Sequence, residues 1–298
     1  MTNRLELSWK VDGFVDEQRY YCSETPIDPE NLPAPKAVLA NSARAHVDTD
    51  VIFDQKYHVM VGAVKNGVEK LSSEIVLYAN NEPPASAVIA LLNFENSLAD
   101  LTGKRTWTNG SPGEVTIATD KFRFGSKSLR ISRTSTGAIG IRTADSDDFW
   151  FEDKDFGIEA SLNLVSIGSY HTILSQRVSA SSDQTFSLYY YANAIHFEYS
   201  ANGKNVARLS GSISFSTNTW YDVQVVRKGN ILSIAVNGNI LNSIDIAGFV
   251  FANSSQPIVV GHLNTSANGG WFNGYIDELR VTKGFAPEIK AKTKAFVL

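Results

Sequence analysis

At 298 residues, with 43% hydrophobic and 19% charged residues, the chain has a globular composition and the length for two domains. A net charge of −4 gives no grounds for nucleic acid or an anionic membrane as a partner. No apolar run reaches the roughly 18 residues of a spanning helix, and a single cysteine, Cys22, excludes an intrachain disulfide.

The chain opens on an alternating run, Met1 to Lys10, without the charged-then-apolar layout of a signal peptide. The lone cysteine fits a protein that folds in the cytosol, even if it ends on an outer surface. Helix-period segments are almost absent, and alternating runs divided by turn pairs predict an all-β protein. Trp9 in LELSW, Arg19 to Ser23 (RYYCS), Tyr57 to Val64 (YHVMVGAV) and Ser72 to Tyr78 mark strands. Together they resemble a fibronectin type III module over residues 1–80, which implies that Trp9 and Tyr57 are core residues. A full module carries a strand before the tryptophan strand, and eight residues precede Trp9 here. The first strand is thus expected to be short or missing. That leaves the strand of Leu5, Leu7 and Trp9 as an edge to be covered by a partner chain or by this chain's tail, or shielded by the linker or a loop. Asn80-Asn81-Glu82-Pro83-Pro84 breaks the pattern, because proline removes donors and restricts its predecessor. A linker is placed at residues 81–85.

Val88 to Phe94 (VIALLNF) opens a second set of strands. Phe122 to Leu129 (FRFGSKSL) and Phe149 to Asn163 follow. Ile173 to Arg177 and Phe186 to Tyr191 then alternate as half-buried strands do, and His196 to Tyr199 is expected to pair across the Asn202-Gly203 turn. Asn202-Gly203, Lys228-Gly229-Asn230 and Asn237-Gly238 predict tight hairpins. Thr219 to Gly238 (TWYDVQVVRKGNILSIAVNG) and Gly269 to Arg280 (GGWFNGYIDELR) complete the set. In that order, the FRFGSKSL turn, the Thr219–Gly238 hairpin and the closing strand resemble a concanavalin A-like (laminin G-like) jelly roll. The resemblance spans residues 86–285 and leaves a lysine-rich tail, 286–298, with an apolar end. The expected fold class is all-β, a fibronectin type III-like sandwich followed by a concanavalin A-like jelly-roll β-sandwich.

Jelly-roll glycosidases similar to this fold alternate carboxylates on one concave strand, as an acid and a nucleophile about 5 Å apart require. Phe156 to Ala160 offers Glu159 alone, and Glu152, Asp153 and Asp155 suit a loop. No G-x-S-x-G elbow appears, and the five histidines lack metal spacing. No catalytic residue is expected. The resemblance implies one structural calcium ion where first and last strands meet, held by Glu95, Asp277 and carbonyls around Gly125 to Lys127; calcium takes about six to eight oxygens. It also implies sugar binding, which needs aromatic platforms and amide donors. The loop-like candidates are Trp271, Asn268, Asn264, Tyr170, His171 and Trp107.

The pairing of the two modules resembles structural proteins of tailed bacteriophages. That implies a non-catalytic virion protein of the tail or surface decoration, made in the host cytoplasm and presenting the jelly roll to a host-surface glycan. Its neighbours would be other virion proteins or further copies of itself. The alternatives are a bacterial surface carbohydrate-binding adhesin and a glycoside hydrolase.

Overall fold

The computed structural model describes residues 4–52, 55–78, 82–110, 112–132, 140–179, 182–263 and 270–298. The chain divides into two units, Met1–Glu82 and Pro83–Leu298.

The first unit contains β1 (Leu5–Ser8), β2 (Glu17–Ser23), β3 (Ala37–Ala40), β4 (Ala45–Asp48), β5 (Lys56–Lys65), β6 (Val68–Leu71) and β7 (Ile75–Tyr78). Strands β3-β2-β5-β6 form one sheet, with β7 also paired to β5, and β1 pairs with β4 in another. Period-two alternation sends Leu5, Leu7, Tyr20, Tyr57 and Val59 into one core, with half-buried Trp9 packed against it. The neighbours Tyr21 and Met60 face the opposite side and join Ile27. The Trp9 indole donates to Gln18 Oε1 at 2.6 Å, and the Tyr57 hydroxyl accepts from the Ile52 amide at 3.0 Å. β1 pairs with β4 along one of its edges. A groove of about 610 Å³ opens between the Trp9–Val15 segment and residues of β5 and β6 such as Val61, Ala63 and Val68.

The second unit begins with β8 (Val88–Leu92), β9 (Thr108–Asn109), β10 (Val115–Ala118), β11 (Ser128–Ile131) and β12 (Ile141–Thr143). Its long strands are β13 (Phe156–Leu164), β14 (His171–Ser179), β15 (Ser182–Tyr191), β16 (Ala194–Tyr199) and β17 (Ala207–Ser212). Then come β18 (Trp220–Lys228), β19 (Ile231–Val236), β20 (Asn239–Asp245), β21 (Ile258–Val260) and β22 (Gly274–Lys283). They form two antiparallel layers. The larger has the order β10-β11-β22-β13-β18-β19-β20, with β8 also paired to β22; the smaller has the order β17-β16-β15-β14-β21-β12-β9. Inward residues of both layers, such as Ile158, Leu162, Val225, Leu188 and Phe197, make one continuous core.

Local chemistry sets the turns. Asn237 and Gly238, at φ 51° and 79°, close β19 onto β20 in the mirror-image turn that matches strand twist. On β22, Glu278 has φ 53° and marks where the strand changes neighbour, from β11 at Gly274–Ile276 to β8 at Leu279–Thr282.

The C-terminal tail lies across the outer side of the larger sheet. Gln224 Nε2 donates to the Glu288 carbonyl at 3.0 Å and its Oε1 accepts from the Lys290 amide at 3.2 Å. The Phe296 amide donates to Glu278 Oε2 at 2.6 Å. The Phe296 ring sits between Arg280 and Lys292, each 3.7 Å from its centroid. The tail is therefore a strap on the second unit, where the sequence offered it as a covering strand for β1.

Candidate functional site

Paired residues of antiparallel strands point to the same side of a sheet. The outer side of the smaller sheet therefore carries ordered rows, in which Thr172, Ser175, Ser187, Tyr189, Glu198 and Val259 are buried and Arg142, Tyr191 and Arg208 are exposed. One runs Thr108–Arg142–Val259–Ser175–Ser187–Glu198–Arg208. The next runs Thr172–Tyr189–His196–Ser210, and beyond it Tyr191 stands opposite Ala194 and Ser212. The alternate positions Leu174, Leu188, Phe197 and Leu209 line the core.

Aromatic rings gather on this face. Tyr170, just before β14, has its centroid 4.2 Å from that of Tyr189 and 5.3 Å from that of Tyr191. Tyr189 in turn stacks on His196 at 4.8 Å. Gly270 makes room for the cluster: its φ is 45°, and a Cβ there would fall 2.3 Å from Tyr170 Cδ1. Tyr191 is 46% exposed and forms the accessible end of the platform. His196 Nε2 donates to the Tyr191 carbonyl at 3.1 Å, which leaves Nδ1 to accept from Ser210 Oγ at 2.8 Å. Burial holds this imidazole below its usual pKa, so it is neutral at pH 7.

Glu198 anchors the floor beside the rings. Its Oε2 accepts from Arg177 Nη1 at 2.7 Å, and Oε1 accepts from Arg208 Nε and Tyr189 Oη, both at 3.0 Å. Burial pushes the carboxyl upward. The donors of Arg208 and Tyr189 and the charge of Arg177 outweigh that push and hold it below the ordinary value. Burial also pushes the Tyr189 hydroxyl up to about 12, so it stays protonated and keeps donating. Thr172 Oγ1 and Ser187 Oγ, on the same face, are buried without a partner among the described residues. An unmet buried hydroxyl costs about 1–3 kcal/mol until a water or ligand group meets it.

Of the residues the sequence proposed for binding, the structure brings Tyr170 to this face. Three others are corrected. Trp271 is 8% exposed and belongs to the core, with its ring 6.0 Å from His262. The Gly-Gly pair before it suggested an exposed loop, yet Gly270 serves a close approach to Tyr170, and the chain runs inward from there. Trp107 is 6% exposed and donates Nε1 to Asp100 Oδ2 at 3.4 Å. His171 is fully buried; its Nδ1 accepts from the Asn273 amide at 3.2 Å and its ring meets Phe272 edge-on. Asn264 and Asn268 lie outside the described residues.

The residues proposed for calcium do not fit the ion. Glu95 Oε1 accepts from the Ser126 and Lys127 amides at 2.8 and 2.9 Å, and Oε2 accepts from Ser126 Oγ at 2.7 Å. The Lys127 ammonium caps the Glu95 carbonyl at 2.8 Å. Gly125 gives way to that carboxylate, since a Cβ would sit 2.3 Å from Glu95 Oε1. Asp277 accepts from the amides of Arg123 and Glu278, each at 2.8 Å. Each carboxylate faces N–H and O–H donors where calcium requires oxygens that donate lone pairs. Among the described residues no group of three or more acidic, histidine or cysteine side chains is arranged to hold a metal.

Sequence reasoning missed Arg142, Arg177, Tyr189, Tyr191, Glu198 and Arg208 as a set. The available signal was alternation, Ser187-Tyr189-Tyr191 on one strand and His196-Glu198 on the next.

The family model of the Concanavalin A-like lectin/glucanases superfamily matches residues 134–285, just over half of the chain. The binding domain of Paraclostridial Mosquitocidal Protein 1 aligns with a TM-score of 0.52 at 14% identity, over 70% of this chain and 50% of that one. The binding domain of botulinum neurotoxin DC, in complex with rat synaptotagmin II, gives 0.51 at 16%, over 70% and 49%. The same domain in complex with SialylT gives 0.51 at 17%, over 70% and 49%. This chain thus spans about half the length of those chains, and at such identities the likeness is one of fold. No curated protein matches. The chain belongs to the Concanavalin A-like lectin/glucanases superfamily.

Proposed function

We propose that the outer face of the smaller sheet binds carbohydrate without turning it over. Tyr191, half-exposed, with the partly exposed Tyr170 and His196 around the buried Tyr189 and beside a locked Glu198, carries this reading. Aromatic faces accept the C–H side of a sugar ring, and flanking polar groups such as Ser210 and Arg208 meet its hydroxyls. Two features support a binding role. Glycoside hydrolysis pairs an acid with a second carboxylate, and among the described residues the rows of this face hold Glu198 alone. Both of its oxygens are already engaged. Glu159, the carboxylate on β13, is buried on the other sheet against Arg280 at 2.7 Å.

The chain is further read as a virion protein of a tailed bacteriophage that presents this face to a glycan on the host surface, beside other virion proteins. The order of modules in the sequence supports that reading. A bacterial surface adhesin would use the same face; mass spectrometry of purified virions against cell-surface fractions separates the two.

The binding reading is tested by Tyr191→Ala, a half-exposed ring whose loss spares the core. On a glycan array with the full chain, binding should weaken by about 1–3 kcal/mol, the contribution of one large side chain, at an unchanged melting temperature. Binding unaffected by Tyr191→Ala would remove the platform from the site.

A further inference from the structure

The two sheets of the first unit are unequal. The strands β3, β2, β5, β6 and β7 pack across one core on a layer of two, β1 and β4. The smaller layer leaves part of the larger one open, and that part is the floor of the groove beside Trp9. Period-two alternation puts Val61 and Ala63 on the same side of β5 as the core residues Tyr57 and Val59. They are only half-buried. Val68 on β6 shares that side through its pairing with Lys65 and is 65% exposed. The Trp9–Val15 segment forms the opposite wall, where Phe14 is 89% exposed.

β1 borders this groove through Trp9, and among the described residues one of its edges is unpaired. The Trp9 amide donates to the Arg44 carbonyl at 3.1 Å, so Leu5, Leu7 and Trp9 turn their backbone groups toward β4. Glu6 and Ser8, at the alternate positions, turn theirs to the other edge. Unmet donors and acceptors beside exposed apolar side chains are a template for one more strand. The C-terminal tail is engaged elsewhere, on the larger sheet of the second unit.

Charge narrows the identity of that strand. The lining carries three exposed ammonium groups, Lys10, Lys65 and Lys70, against one carboxylate, Asp12, on a chain of net charge −4. Lysine stems lie along apolar surface and carry the ammonium to the rim. Two copies of this chain joined through the groove would set these lysines against their own kind, which opposes self-pairing.

We propose that the groove of the first unit takes an extended segment of another protein, in which apolar residues alternate with carboxylates. The segment pairs with Glu6 and Ser8 along β1 and seats its apolar side chains on Val61, Ala63 and Val68. Its carboxylates meet Lys10, Lys65 and Lys70 at the rim. This docking site is independent of the carbohydrate-binding reading of the second unit.

The test uses the full chain and end-blocked synthetic peptides of roughly ten residues, the length of a long strand. Valine alternates with glutamate, serine or lysine. Fluorescence anisotropy measures binding, and hydrogen exchange reads the Glu6 and Ser8 amides. The glutamate peptide should bind about tenfold or more above the lysine peptide, as one charge-assisted bond accounts for. Added salt should narrow that gap, and the bound peptide should slow exchange at Glu6 and Ser8. A glutamate peptide with proline at alternate positions should fail, because proline has no N–H to donate to β1. Lys65→Gln combined with Lys70→Gln, on exposed side chains, should weaken the glutamate peptide at an unchanged melting temperature. Val68→Ser should weaken the glutamate and serine peptides alike. Equal binding of the glutamate, serine and lysine peptides would overturn the acidic partner. No binding, or Glu6 and Ser8 amides already protected in the free chain, would overturn the docking site. Self-association of the full chain that Val68→Ser abolishes would make the occupant a second copy and overturn the proposal as well.

Discussion

Trp271 shows how one side chain is assigned by its surroundings. Its indole packs in the main core, beside Phe272 and against His262. Trp271→Ala should therefore destabilise the second unit by about 3–5 kcal/mol, the range for deleting a large buried aromatic. Denaturant unfolding of the full chain measures this; an unchanged midpoint would return Trp271 to the surface. Glu198 is assigned by the same logic. A buried carboxylate is costly unless its lone pairs are met, and two arginines and a tyrosine meet them. The carboxylate is thereby fixed in its charged form. That suits orienting Arg208 and Tyr189 and leaves it no proton to give.

Among the elements, the tail and β22 act together. Every residue of β13 is buried because its inward face meets the core and its outward face lies under the strap. Gly157 permits this, since a Cβ there would fall 2.3 Å from Pro287 Cγ. The strap shields an ion pair, Glu159 with Arg280, and supplies the Phe296 ring to cations that would otherwise meet solvent. Deleting residues 286–298 should raise amide exchange in β13 and β22. The stability lost should be roughly 2–3 kcal/mol, the burial of one Phe side chain. Exchange at residues 4–10 should stay as it was, because the tail's contacts lie on the larger sheet of the second unit. Loss of protection at residues 4–10 would revive the tail as the cover of β1.

The whole molecule should respond to pH through the charges sealed under that strap. Burial pushes Asp277 up to about 7, against the bonds from the Arg123 and Phe124 amides. Burial likewise raises Glu278 and lowers Lys292 to about 8. The folded state therefore holds a proton on Asp277 across a window in which the unfolded chain, with its ordinary value of 3.8, has released it. Where the folded state binds more protons, stability falls as pH rises. The contribution of Asp277 is fully present below about 4 and is lost as pH rises through about 7. Across that window the wild-type melting temperature should fall as pH rises, and Asp277→Asn, which cannot titrate there, should lose that part of the slope. A variant that keeps the wild-type slope would place the titration elsewhere.

The sequence by itself determined the strands and their turns. Alternation places Phe186 to Tyr191 in a strand that pairs with the strand of His196 to Tyr199, though both are buried on nearly every residue where half-burial was expected of Phe186 to Tyr191, and Asn237-Gly238 closes a hairpin because that pair tolerates positive φ. The break at Asn80–Pro84 also stands in the sequence, beside the boundary between Glu82 and Pro83. Such features are local, set within a few residues by backbone sterics and by which side chains avoid water. The face proposed for binding is not local. Arg142, Arg177, Glu198 and Arg208 come from four strands, and only the registers of β12, β14, β16 and β17 put them on one surface. Burial was equally undecided in the sequence. Trp271 and Trp107 sit beside turn residues, and the packing of two sheets sends both into the core. Glu95 and Asp277 do meet the loop that the sequence assigned to them, but the tertiary structure turns N–H groups toward them, and that choice decides between a capped turn and a metal site.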